Sequence, residues 1–219
     1  MLTFAEELLL LLLDDTSGHL APISRAGLTC GLAGAVLMDL EVRGRIVADA
    51  THLTVVDTTP TGQPLLDPLL AQLAAVPEPH IPAYWVRKLA EQGDALYDAA
   101  LASLIARGIL KEVCEKFFWV LETRRYPIID DREQKEAKLR LLSVLLCDKT
   151  PDARDAALIN LADSCGIFHL ILQDRELARA GARIDSVAAL DPIGRATAAV
   201  IHEVETETQA AAAMLRGSA

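Results

Sequence analysis

The chain has 219 residues, a formal net charge of −10 and a composition that is 52% hydrophobic yet only 4% aromatic. That length holds one large domain or two small ones with a substantial core, and a core so poor in aromatics is filled with Leu, Ala, Val and Ile, which favours helices. The acidic balance excludes a protein whose whole surface binds nucleic acid, because phosphate binding draws on accumulated Lys and Arg.

In chain order, Thr3 and Glu6 have the spacing of a capping box and predict a helix start. Six consecutive leucines, Leu8 to Leu13, follow between Glu6-Glu7 and Asp14-Asp15. A membrane-spanning helix needs about 20 apolar residues, and a secretory signal needs a basic leader and small residues after its apolar run. The leucines have neither, so they predict a short helix buried on all sides. A second helix is expected over 27–43, with Gly44 as its left-handed cap. Residues 45–57 carry two short β-type runs, 60–64 a turn, and 65–70 open the next helix with Pro68 near its first turn. Helices are expected over 81–92 and 94–107 with Gly93 between them. After Gly108 come β-type runs at 117–121 and 124–129. From Asp130 onward the pattern is helical, with breaks at 148–151, near Gly166, near Gly181 and at Asp191-Pro192, and 214–219 is expected to fray. The fold class is therefore mainly α: a compact helical core surrounded by amphipathic helices, with one or two short β-hairpins.

Two segments share a pattern. Leu37-x-x-Leu40-x-x-Arg43-Gly44-x-Ile46 recurs as Leu101-x-x-Leu104-x-x-Arg107-Gly108-x-Leu110. Leucines one turn apart pack inward, the Arg faces the negative end of the helix dipole, and the Gly lets the chain turn into a strand. Helix, glycine stop and hairpin is also the layout of half a winged helix. Both an old duplication and convergence on the same cap chemistry account for the repeat.

Chemistry-bearing motifs are sparse. The sequence has no Gly-x-x-x-x-Gly-Lys, Gly-x-Gly-x-x-Gly, His-Glu-x-x-His or Gly-x-Ser-x-Gly, so no catalytic residues, cofactor or enzyme activity are expected. Cys165 and His169 have helical metal-ligand spacing but lack the third and fourth ligands that zinc requires, and no metal site is expected. All four cysteines lie in apolar contexts and read as buried thiols of a reducing compartment, which with no targeting segment places the chain in the cytoplasm, free or peripheral on a membrane. Asp14-Asp15 and Asp130-Asp131 flank helix ends, where capping accounts for them. One stretch stands out: Phe117, Phe118, Trp119 and Tyr126 sit with Arg124 and Arg125 in a single predicted hairpin. Alternation puts Phe117 and Trp119 on one face and Phe118 on the other. Such a hairpin is either sandwiched within the protein or offers one face to a membrane interface, a protein partner or a second copy.

The stretch 2–11 (LTFAEELLLL) with Asp14-Asp15-x-x-Gly18, then 31–46 (GLAGAVLMDLEVRGRI), then Pro60-Thr61-Gly62-x-x-Leu65-Leu66-Asp67 and Arg107-Gly108-Ile109-Leu110, resembles the Golgi phosphoprotein 3 family over nearly the whole chain. The Ala, Leu and Arg usage is closer to a bacterial-type member. The resemblance implies a single domain over 1–219, a helical core with a projecting hairpin, and a peripheral membrane protein that binds phosphatidylinositol 4-phosphate or another anionic phospholipid. It also implies adaptor-like protein interactions, since eukaryotic members hold the cytoplasmic tails of glycosyltransferases. The family's head-group residues, a Trp and three basic side chains, fall on Ser24, Ala33, Asp94 and Tyr97. None of the four is basic, which leaves Arg25, Arg87 and Lys88 as the nearby cations able to substitute. Three functions follow: an anionic-lipid-binding adaptor, a protein-interaction or oligomeric scaffold that has lost the phosphoinositide site, and a winged-helix-like nucleic-acid module, with no nucleic-acid partner expected from the charge.

Overall fold

The structure, a computed structural model, describes residues 1–14, 17–117, 121–147, 149–188 and 191–217. Among these it is mainly α, with ten helices and two two-stranded antiparallel sheets. The first helix, α1 (Phe4–Leu12), begins as its sequence dictates. The Thr3 hydroxyl accepts the Glu6 N–H at 3.2 Å, and the Glu6 carboxylate accepts the Thr3 N–H at 2.6 Å. All nine residues of α1 are buried, because α2 (Arg25–Val42), α5 (Gly93–Ala106), α6 (Arg132–Leu146) and α7 (Ala153–Ser164) all pack against it. A helix wrapped on this many sides needs no polar face, and that is why a continuous leucine run suits it.

The carboxylates at the start of α1 are buried with the leucines and are held by charge. Glu6 accepts from Ser103 Oγ at 2.5 Å and lies 3.3 Å from Arg107 Nε. Glu7 lies between Arg154 at 2.8 Å and Arg140 at 3.2 Å, and Arg154 also donates to the Leu2 carbonyl and covers the Phe4 ring. Burial pushes the Glu7 carboxyl up from its ordinary range, while the two arginines pull it back. Asp39 of α2 accepts the Phe4 N–H at 2.7 Å, and burial is the main reason its carboxyl is pushed up to about 7.

The central helix is α2, which touches α1, α4 (Pro82–Ala90), α5, α7 and α10 (Pro192–Gly217). Small residues permit that crowding: a Cβ at Gly34 would stand 2.4 Å from Thr197 Oγ1 of α10. Both helix-to-hairpin corners are present and closed alike. Gly44 has φ 67° and Gly108 φ 71°, the left-handed region that glycine enters without steric cost. At the first corner Gly44 N–H donates to Glu41 O and Arg45 N–H to Leu40 O. At the second, Gly108 N–H donates to Ile105 O and Ile109 N–H to Leu104 O. The first corner leads into β1 (Ile46–Ala48) paired with β2 (Leu53–Val55), and the second into β3 (Val113–Phe117) paired with β4 (Leu121–Arg125).

Several boundaries differ from expectation. The second hairpin pairs Val113 with Arg125 through Phe117 with Leu121, so its first strand begins before the aromatic run; residues 126–129 contribute only an isolated bridge, Leu110 with Ile128. Between α3 (Asp67–Ala74) and α4 the chain follows the predicted order. Past α7 and α8 (Phe168–Ile171), α9 (Asp174–Ala188) runs straight through Gly181, where a break was expected: Ala180, Ile184 and Val187 are buried beside it, and packing outweighs the roughly 1 kcal/mol that a helical glycine costs. Helix α10 continues to Gly217, through the segment expected to fray. Cys30 is buried, but Cys147 is exposed and Cys165 half-buried, so the expectation of uniformly buried thiols fails. Asp14 and Asp130 act in turns rather than as helix caps, accepting the Ser17 and Arg132 N–H groups, and Asp131 makes no capping bond; Asp15 lies outside the described residues.

Candidate functional site

Of the residues that the family resemblance points to, Ser24, Arg25 and Asp94 gather around the first turn of α2. Ser24 is its N-cap; its hydroxyl accepts the Gly27 N–H at 2.9 Å and donates to Glu205 Oε1 of α10 at 2.5 Å. Arg25, one residue on, pairs with Asp94 of α5 at 2.8 Å. Beneath that pair the two helices touch: a Cβ at Gly93 would stand 2.5 Å from the Thr29 side chain. At the position implied by the family pattern α5 thus lies close on α2, with the exposed Arg25–Asp94 pair bridging the two helices. Ala33 is fully buried and offers nothing to a ligand. Tyr97 is half-buried, and its hydroxyl is pushed up to about 12 by burial first and then by Tyr126 and Asp98, which places it toward the second hairpin.

On the other side of α2 the start of the helix and α10 enclose a cleft of about 570 Å³ lined by Ser24, Arg25, Ala26, Thr29, Val204 and Glu205, among others. Arg87 of α4 reaches the same helix α10 and pairs with Glu203. Lys88 pairs within its own helix with Glu91 at 3.1 Å. The structure thus brings Ser24, Arg25 and Asp94 together, brings Arg87 to α10, and leaves Lys88 apart. Every one of the three cations is matched by a carboxylate of the protein itself.

Glu203 and Glu205 were missed at the level of sequence. Their partners lie 116 and 181 residues away, and no local pattern marks the pairing. The metal reading of Cys165 and His169 finds another explanation for the thiol. Cys165 caps α7 and packs on α2, with Sγ 3.5 Å from the Gly27 carbonyl, and burial pushes the thiol up to about 12. No group of three or more His, Cys, Asp and Glu able to hold a metal is present among the described residues.

At the second hairpin, Phe117 ends β3 opposite Leu121, and Phe118 and Trp119 lie outside the described residues. Arg124 is exposed, with Nε 3.6 Å from Glu112, and Arg125 is half-buried. Tyr126, for which both a covered and a presented hairpin were open, is 9% exposed and anchors the base of the hairpin: its N–H donates to the Gly18 carbonyl at 2.8 Å. Gly18 is pressed so closely on Pro127 that a Cβ would stand 2.5 Å from the proline nitrogen.

These features define a mainly α protein with leucine-filled interior, two glycine-closed hairpin corners and an ion-paired cleft at the head of its central helix. No described helix is long and apolar enough to cross a membrane. The family model of Golgi phosphoprotein 3 (GPP34) matches residues 4–204, and the chain belongs to that family. No curated protein gives a match.

Proposed function

We propose that this chain is a non-enzymatic, single-domain peripheral adaptor of the Golgi phosphoprotein 3 type that meets anionic phospholipid at the cleft between α2 and α10. The observation that carries the reading is that Ser24, in the lining of the cleft, already holds the Glu205 carboxylate there, while Arg87 of α4 holds Glu203 of the same helix α10 beside that lining. Groups that donate to a carboxylate donate equally well to a phosphate oxygen. The family's α2–α5 position does not support selective phosphatidylinositol 4-phosphate binding. Arg25 there is already paired with Asp94, which would repel a second phosphate charge. The expected ligand is a singly charged phospholipid surface, approached from the cytoplasmic side and held by charge.

Co-sedimentation with phosphatidylcholine vesicles, with and without phosphatidylglycerol, tests this. Excess retention on the anionic vesicles that falls with added salt and in Arg25→Ala and Arg87→Ala is the expected result; equal retention on both vesicle types rejects it. A second reading, a scaffold that keeps the fold without lipid, is favoured by the non-basic Ser24, Ala33, Asp94 and Tyr97 at the α2–α5 position. It predicts self-association through the second hairpin, lost in Phe118→Ala or Trp119→Ala when followed by sedimentation velocity.

A further inference from the structure

Glu205 in the cleft and Glu203, paired with Arg87 outside its lining, belong to one helix, and that helix is held unevenly. In its first half, Ile193, Thr197, Val200 and Ile201 of α10 are buried, Gly194 is pressed on Asn160, and Thr197 fits against Gly34. From His202 onward the described side chains are exposed except for Val204, Glu205 and Ala212, which are half-buried. Among the described residues, the packing of Val204, the Glu203–Arg87 pair and the bond from Ser24 to Glu205 tie this half to the body. The Arg87 and Glu203 side chains are 41% and 54% exposed, so water competes for that pair.

We propose that the distal half of α10 is an autoinhibitory strap, in which Glu203 and Glu205 act as built-in competing anions that a membrane phosphate must replace. The inference rests on the lipid reading above and adds regulation to it. A phosphate arriving at Ser24 or at Arg87 meets a donor already engaged by a carboxylate, Glu205 or Glu203, whose negative charge repels it. It binds only as those carboxylates leave, either by rotation of the glutamates or by lifting of the helix beyond Ile201. Because the ties are solvent-exposed, the strap weakens binding without abolishing it. Arg25 is a different case, since its partner Asp94 lies on α5 and does not move with α10.

Single variants of the full chain separate these effects. Glu203→Gln and Glu205→Gln remove a competing anion while keeping the shape of the side chain. Glu207→Gln removes the same charge from an exposed position on the same helix. On phosphatidylcholine vesicles containing phosphatidylglycerol, the first two should raise retention roughly two- to fivefold each, with Glu207→Gln raising it less. Amide exchange of 203–209 should speed up when wild-type protein binds the vesicles. Equal gains in all three variants would mean that net charge alone is at work, which overturns the strap and leaves the lipid reading standing. No excess retention on anionic vesicles in any variant or in wild type would overturn both. Thermal melts of each variant guard against misfolding as the cause.

Discussion

Replacing Asp39 by Asn should stabilise the fold at about pH 8 and change it little at about pH 4. Asp39 is 1% exposed, accepts the Phe4 N–H at 2.7 Å and has Arg43 Nε only at 3.9 Å, so burial dominates and its carboxyl is pushed up from 3.8 to about 7. A carboxyl with its folded pKa above the unfolded value holds its proton more tightly when folded. Its contribution is therefore fully present below about pH 4 and is lost as pH rises through about 7. Over that span of about three pH units the loss amounts to at most about 4 kcal/mol. Asn keeps the size and the acceptor oxygen for Phe4 while removing the charge. Ala removes the acceptor as well, and should destabilise by about 1–3 kcal/mol across the whole range. Urea unfolding of wild type, Asp39→Asn and Asp39→Ala at both pH values measures this, and differences between proteins at one pH cancel the titration of exposed aspartates. If Asp39→Asn were clearly less stable than wild type at the higher pH, the charged form would be favourably held by Arg43 and Arg154, and the reasoning would be wrong.

Leu9→Ala should cost about 3–5 kcal/mol in chemical unfolding, since this leucine is fully enclosed in α1 and the helices around it have little room to collapse. Arg154→Ala should cost about 3–5 kcal/mol in the same assay, because it strips Glu7 of its 2.8 Å partner and leaves a buried carboxylate held by Arg140 alone. Gly44→Ala and Gly108→Ala should each cost about 1–2 kcal/mol and match one another. Both have positive φ with open space where a Cβ would go, so only the backbone term enters.

Much of the fold was legible because its signals are local. The capping box at Thr3 and Glu6, the leucine run without a polar face and the two glycine corners each lie within a few residues of one another. Gly181 misled because propensity is a local quantity, whereas Ala180, Ile184 and Val187 are fixed by packing on other helices. The β3–β4 register was displaced because aromatic content was taken to mark the strand, while the observed pairing runs from Val113 to Phe117 on one side. The cleft was the least legible part. Arg25, Arg87 and Lys88 were visible as cations, but their neutralisation depends on Asp94, Glu203 and Glu91, and the first two of these pairs join residues 69 and 116 apart. Likewise, the close approach of α5 to α2 turns on Gly93 meeting Thr29, a contact between small residues that carries no sequence signature.

The wrapping of α1 sets an order on biosynthesis. Gln134 reaches the Leu10 and Leu13 carbonyls, and Arg154 closes on Leu2 across 152 residues. At ribosomal speed that separation takes roughly 8–30 s to synthesise. During that interval α2 and then α5 become able to cover the leucines, while the sides that α6 and α7 close stay open, so the nascent chain keeps part of its greasiest segment in a provisional burial until its last partners arrive.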